Sequence, residues 1–372
     1  MSLMPPLLPS APPGAAAHLA PSAEDGLSGY WKRMDVRDAS TLTEDEFERE
    51  YMNKGLPLVI RNDPGALALS QRINITTLLD ACGTKEPELG RRLVEPLKAL
   101  PSVIKFELSR RLYQTHGVTL SQAVKIMEGR GKVKTLRDFF ESEFFATVKT
   151  AQDPRFPDAK KDYSHPADYL WPPSIHSWPL HENCPQLLAM MEEVADLGDK
   201  QDEDEATRPR LGYVPRICKP VAPRDISDLF LFASGDRCRA YHPHIHGRPN
   251  HVLLLLLHGK KRAVVWPRDQ APSLYPFMGD DVKANDIGEK TPIFMANGFE
   301  VNLDWQPNLA DVSGGLEGVA GSGDLLYVPC GSVHSLGNLD NMFAVGWIPT
   351  RVPGQNMNDC PNVNGRGYND DD

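Results

Sequence analysis

Two histidines spaced by one residue, His244 and His246, lie in Tyr241-His242-Pro243-His244-Ile245-His246-Gly247. On an extended strand the two-residue period points both imidazoles to one face, which is how a sheet offers two metal ligands together. Neutral imidazole suits Fe, Cu, Ni and Zn. A third ligand must come from a distant stretch, and His334 is the candidate. It stands in Gly323-Asp324-Leu325-Leu326-Tyr327-Val328-Pro329-Cys330-Gly331-Ser332-Val333-His334, which continues to Asn338 and reads G-x5-P-x-G-x2-H-x3-N. The metal set is therefore His244, His246 and His334. His242 keeps the same spacing to His244 and is the alternative to His246. His251 and His258 flank an apolar run, and His258, before a hairpin glycine, reads as turn-facing. His165, His176 and His181 show no ligand spacing and read as surface or packing residues.

Lys261 is the other residue with chemistry in it. An ammonium on a core strand is costly to bury unless an anion meets it, so Lys261 reads as an anion-binding group. The alternative is that it lies on the outer face of a hairpin.

The elements that must position these groups follow from pattern. Val252 to Leu257 is apolar on both faces, as a central strand requires. Gly259-Lys260 fits a tight hairpin into Arg262 to Trp266, which Pro267 ends. Asp228 to Ala233, Leu325 to Val328 and Met342 to Ile348 read as further strands, with 268 to 310 a long excursion and Val312 to Gly323 a Gly-rich linker. Upstream, Thr43 reads as an N-cap with Glu46 as its capping-box partner. Leu56 to Ile60 is a short buried strand closed by Asn62-Asp63-Pro64-Gly65. Helical periodicity runs from Ile75 to about Thr150. Its Lys and Arg are interleaved with acids, as on solvated helix faces. The divisions expected are 1–28, a disordered Pro/Ala-rich leader; 29–188, a strand entry and helical region whose last part, 153–188, is an ordered aromatic loop; 189–210, an acidic flexible loop; 211–350, a barrel; and 351–372, a polar disordered tail.

The chain has 372 residues, 41% hydrophobic and 24% charged, values of an ordinary globular protein with room for a sizeable core. A net charge of −10 argues against a general nucleic-acid surface. The longest apolar run, Val252 to Leu257, is too short to span a bilayer. No basic region precedes a hydrophobic one at the N-terminus, so no secretory signal is expected. Six scattered cysteines without a C-x-x-C pair suggest neither a zinc knuckle nor a disulfide framework, and a cytoplasmic or nuclear, reducing location fits them. Nothing in the sequence speaks to oligomeric state.

The G-x5-P-x-G-x2-H-x3-N stretch resembles the second motif of the cupin superfamily at every specified position. The His244 stretch, with its Gly259-Lys260-Lys261 turn, resembles the Jumonji C (JmjC) branch, closest in spacing to the arginine demethylase and lysyl hydroxylase subfamily. The helix followed by Gly55-Leu56-Pro57-Leu58-Val59-Ile60 is similar to the entry of such domains. The resemblance covers roughly 35 to 65 and 210 to 350. It implies a mainly β fold with α-helices: a double-stranded β-helix (jelly-roll) barrel with an N-terminal helical region. It further implies a non-haem Fe(II) site and a 2-oxoglutarate-dependent oxygenase, a hydroxylase or demethylase acting on a protein side chain, with Lys261 gripping 2-oxoglutarate. This chain departs from the pattern twice: His246 replaces the carboxylate ligand, and Gly346 stands where the family often places a Thr that shares the 2-oxoglutarate carboxylate. Two rivals remain, a three-histidine cupin dioxygenase that does not use 2-oxoglutarate and a catalytically silent interaction scaffold.

Overall fold

A computed structural model describes residues 27–86, 135–140, 174–195, 229–234, 243–246, 251–277 and 306–347, with 293, 294, 296, 298, 299, 301, 303 and 360. Two sheets organise these residues. The larger has seven strands in the order β2 (Asp35–Asp38), β3 (Leu58–Arg61), β11 (Leu325–Val328), β6 (Val252–His258), β13 (Met342–Trp347), β5 (Leu229–Ser234) and β4 (Ser174–Pro179). The smaller has four, in the order β1 (Lys32–Arg33), β10 (Leu316–Ala320), β7 (Lys261–Trp266) and β12 (Val333–Asn338). A two-stranded pair, β8 (Pro276–Phe277) with β9 (Ile293–Phe294), stands apart. Among the described residues the two sheets are not joined into a closed barrel. The fold is mixed, mainly β with helices. Among the described residues no helix is long and apolar enough to cross a membrane.

Strand alternation divides the core into three layers. On β6, Leu253, Leu255 and Leu257 face the helices, while Val252, Leu254 and Leu256 face the layer between the sheets. Burying each of these side chains contributes about 1.5–3 kcal/mol, which is why a run apolar on both faces becomes the centre of the large sheet. On β7, Ala263 and Val265 enter the inter-sheet layer, and Val264 and Trp266 enter a third cluster with Trp31, Ile245 and Phe299. Lys261 shares the parity of Ala263 and Val265; Arg262 shares that of Val264.

The helices sit on the outer face of the large sheet. Helix α1 (Glu44–Phe47) is capped by the Thr43 side chain, which accepts the Glu46 N–H. The Glu46 carboxylate, expected to close a capping box, instead pairs with Arg37 at 2.8 Å. Helix α2 (Pro64–Arg72) was not legible as a helix: Asn62-Asp63-Pro64-Gly65 resembles a turn, yet Asp63 caps the helix and Pro64 takes its first turn, where no N–H is needed. Helix α3 (Ile75–Cys82) begins where helical periodicity is expected and buries Leu78, Leu79 and Cys82. Helix α4 (Leu136–Phe139) carries a capping box between Thr135 and Asp138. Two more helices, α5 (Leu180–Asn183) and α6 (Pro185–Ala195), follow β4.

The structure departs from the sequence expectation at several other elements. Leu27 and Ser28, assigned to the disordered leader, are buried, and Ser28 donates to Glu317 from both its backbone N–H and its hydroxyl. The expected aromatic loop becomes, over its described part, β4 and two helices, and residues 189–195 of the acidic loop lie in α6. The Gly-rich linker contains β10. Its glycines serve close approach: a Cβ on Gly315 would meet the Trp31 ring at 2.3 Å, and one on Gly318 would meet Met34 at 2.9 Å. Strand β12, polar in composition, was not expected either. Gly259-Lys260 does not close a hairpin. It carries the chain from one sheet to the other, packed on the turn before β13, where Leu339 donates to the Lys260 carbonyl at 3.0 Å. A Cβ on Gly259, at φ +78°, would lie 2.0 Å from the Asn341 carbonyl oxygen.

The cysteine expectation also changes. Cys82 pairs with Cys184 and Cys330 with Cys360, across sequence separations of 102 and 30 that no spacing rule would link. Cys218 and Cys238, the residues 1–26, most of the helical region after 86 and the polar tail apart from Cys360 lie outside the described residues.

Arg262 is buried against Glu317, which it meets with both Nε and Nη2, and its Nη2 also donates to the Phe299 carbonyl at 3.0 Å. Glu317→Ala leaves that guanidinium buried without its carboxylate, so a loss of about 3–5 kcal/mol is expected in urea unfolding. Replacing both by Met and Leu should recover most of it. A loss below about 1 kcal/mol for Glu317→Ala would show that the pair does not hold the layers together.

Candidate metal centre

His334 lies second on β12, opposite Val265 of β7. With Leu336 and Asn338 it has the parity that faces the inter-sheet layer, while Val333 joins the outer cluster. The turn before the strand, Cys330-Gly331-Ser332, sets the imidazole. Gly331 adopts φ +74°, and the Ser332 carbonyl lies 3.3 Å from His334 Nδ1. A carbonyl can only accept, so Nδ1 carries the proton and Nε2 keeps its lone pair. Burial pushes the His334 pKa down to about 4, against a smaller opposing effect of the Ser332 carbonyl. The ring is therefore a neutral ligand near pH 7.

His244 reaches the same place by a single antiparallel bridge to His334, closed by reciprocal N–H to carbonyl bonds of 3.0 Å. Phe294 of β9 donates to the Pro243 carbonyl at 2.8 Å and steadies the segment. Ile245 turns into the outer apolar cluster, so the two-residue period brings His246 back beside His244, their rings stacked at 5.2 Å and 15°. The His334 ring is 4.2 Å from that of His244 and 5.0 Å from that of His246. His242, the alternative ligand, lies outside the described residues.

One nitrogen from each of the three rings lies within 4.8 Å of the others. A common point thus exists within about 2.8 Å of all three, and drawing in by under about 1 Å gives metal bonds near 2.1 Å. His244 and His334 are buried and His246 is half-buried. Two deeply placed imidazoles beside a partly open one, with the tautomer of His334 set, fit a transition metal. The chain matches no model of a known protein family, and no curated protein matches it either.

Lys261 is 3% exposed and on the inner face, not the outer face of a hairpin. Its Cα is in register with Asn338, four positions along from the Val265–His334 pair. The spacing is roughly 13 Å along the strand. Lys261 Nζ donates to Asn338 Oδ1 at 3.3 Å, and Asn338 Nδ2 donates across the layer to the Ser234 carbonyl at 3.2 Å and hydroxyl at 2.6 Å. Since the Ser234 carbonyl accepts only, the Asn338 amide cannot flip, and its oxygen must face the ammonium. Asn338 closes the sequence motif, but its bond to Lys261 had no sequence signal, and Ser234 had none at all. Gly346 faces the same layer, where a Cβ would meet Phe232 at 2.4 Å and Leu254 at 2.6 Å. The Phe232 ring fills the room a threonine would take.

His251 is built as a structural imidazole. Its Nδ1 accepts from the Tyr327 hydroxyl at 2.7 Å and from the Cys330 N–H at 3.3 Å, and burial pushes its pKa down to about 4. His258 is exposed and stacks on Phe343, and His181 lies 3.4 Å from Glu182.

These two depressed values set a pH dependence in the metal-free chain. The unfolded imidazoles protonate near pH 6.5 and the folded ones near pH 4, so between those values the unfolded state binds more protons. Stability should be level above about pH 6.5 and fall as pH drops towards 4, by at most about 1.4 kcal/mol per pH unit for each imidazole. Urea midpoints at about pH 7 and pH 5 measure it. Equal midpoints would show that neither ring is held neutral by the fold.

Proposed function

We propose that the chain is a JmjC-like, non-haem Fe(II) and 2-oxoglutarate-dependent oxygenase on a double-stranded β-helix, acting on a protein side chain. The observation that carries this reading is the convergence of His244, His246 and His334, with buried Lys261 on the inner face of the strand beside His334. The jelly-roll reading is supported by two facing sheets and by successive strands β10 to β13 entering the small and large sheets in turn. The substrate class comes from the sequence resemblance.

The roles follow from charge. Three neutral imidazoles leave the metal's two positive charges uncompensated by its ligands, and Lys261 places an ammonium on the same face of the inter-sheet layer. An anion is the natural further ligand. Lys261 and His334 stand roughly 13 Å apart along the strands by backbone register, their side chains reach into the same layer, and a dicarboxylate is the class with one anionic end for a metal and one for an ammonium. Iron held there would activate O2: one oxygen atom would enter succinate as 2-oxoglutarate loses carbon dioxide and gives up two electrons, and the other would be inserted into a substrate C–H bond, which gives up the remaining two. The chain's own residues hold and orient: the Ser332 carbonyl keeps His334 Nε2 available, and Asn338 and Ser234 fix where the ammonium points.

One observation favours the three-histidine dioxygenase that needs no 2-oxoglutarate. Phe232 fills the space at Gly346, so no hydroxyl joins Lys261 from that strand.

Succinate formation from 2-oxoglutarate with added Fe(II) tests the reading. Wild type should form succinate, His334→Ala should form none, and Lys261→Ala should raise the 2-oxoglutarate KM about tenfold or more, one charge-assisted contact being worth about 1.5–3 kcal/mol. His246→Asp should keep or raise iron affinity, since an anionic ligand attracts the cation. Succinate from His246→Asp alone would identify a silenced oxygenase. Its absence from every form, with iron bound, would favour the other dioxygenase, and absence of metal binding would favour a scaffold.

A further inference from the structure

The turn that sets His334 is held from three sides. Its Ser332 carbonyl accepts the His334 Nδ1–H, its Cys330 N–H donates to His251, and its Cys330 sulfur is bonded to Cys360. Cys330 and Cys360 are both buried, with Cα atoms 5.6 Å apart. Cys360 lies thirteen positions beyond Trp347, the last residue of β13, so the bond brings the chain after the final strand back onto the turn that carries a metal ligand. The other disulfide, Cys82–Cys184, joins α3 to the end of α5 among the helices on the far side of the large sheet.

We propose that Cys330–Cys360 is a redox clamp on the metal centre: closed, it holds the turn so that His334 keeps its ligand geometry, and opened by a thiol reductant it lowers the affinity for the metal. The inference rests on the three-histidine site and adds its regulation. The step is thiol–disulfide exchange. A thiolate of a dithiol reductant attacks one sulfur of the pair, the S–S bond breaks and the other cysteine leaves as a thiolate that takes a proton. The reductant's second thiol then resolves the mixed disulfide. Two electrons pass to the protein, two thiols appear on it, and the reductant becomes a disulfide. With the clamp open, Cys330 keeps its backbone bond to His251 but loses its sulfur anchor, and the Ser332 carbonyl two residues on is less well held. A partner that orients a ligating imidazole is worth 10- to 100-fold in metal affinity when lost, and loosening it should cost about tenfold. The three ligands themselves do not change, so the effect is graded and reversible.

The test uses the full chain. Fe(II) affinity is measured anaerobically, by competition with a chromophoric chelator, for four forms: oxidised wild type, wild type reduced by dithiothreitol and then freed of it by gel filtration, Cys360→Ser, and Cys82→Ser. Peptide mapping of the oxidised chain reports the pairing, and far-UV circular dichroism reports folding. Reduced wild type and Cys360→Ser should each bind about tenfold more weakly than oxidised wild type, and reoxidation should restore the first. Cys82→Ser should keep the oxidised affinity. Equal affinity in oxidised and reduced wild type overturns the clamp and leaves the metal site standing, as does finding Cys330 and Cys360 as free thiols in the oxidised chain. No binding in any form removes the metal site and the clamp with it.

Discussion

Two consecutive cations, Lys261 and Arg262, are buried on one strand, and strand geometry sends them to opposite faces. Neither can be left in an apolar layer without a partner. On the outer face Arg262 meets Glu317 of β10 and the Phe299 carbonyl, and lies over the Phe299 ring at 4.8 Å. Glu317 also takes the Ser28 N–H and hydroxyl, so one charge pair fixes the N-terminal segment, the small sheet and the loop at 299 together. On the inner face Lys261 meets Asn338, which Ser234 braces from the opposite sheet. Lys261, Asn338 and Ser234 thus form a polar group in the layer between the sheets, on the side the histidines also face.

The same desolvation explains the imidazoles. His334 and His251 are neutral because burial disfavours the charged ring, and each has one nitrogen committed by backbone: the Ser332 carbonyl takes the Nδ1 proton of His334, and the Cys330 N–H occupies the Nδ1 lone pair of His251. The tautomers are thus opposite, Nδ1–H in His334 and Nε2–H in His251. One leaves its Nε2 lone pair uncommitted by the turn, and the other spends its Nδ1 lone pair on holding the turn. A single short turn, 330 to 332, sets both.

Much of this was legible in local pattern. The two-residue period marked His244 and His246, the motif spacing marked His334, and the improbability of a buried lysine without a purpose marked Lys261. Apolar runs located β5, β6, β11 and β13, and Thr43 was read as a cap from its hydroxyl and position. These succeed because the signal and its cause are within a few residues of each other.

The remaining features depend on partners far away in the chain. Strand β10 looks like a linker until Trp31 and Met34 press against its glycines, and β12 is too polar to resemble a strand until β7 pairs with it. Gly259-Lys260 has hairpin chemistry, but Asn341 and Leu339 take the turn across to the other sheet. Cys82 finds Cys184, and Cys330 finds Cys360, through packing that no spacing announces. Local pattern marks which side chains can bind a metal and which runs must be buried, since those follow from chemistry and period. Which faces oppose one another was left to the fold, because strand pairing and layer packing join residues tens to hundreds of positions apart, and each pairing is chosen by the whole set of contacts it permits.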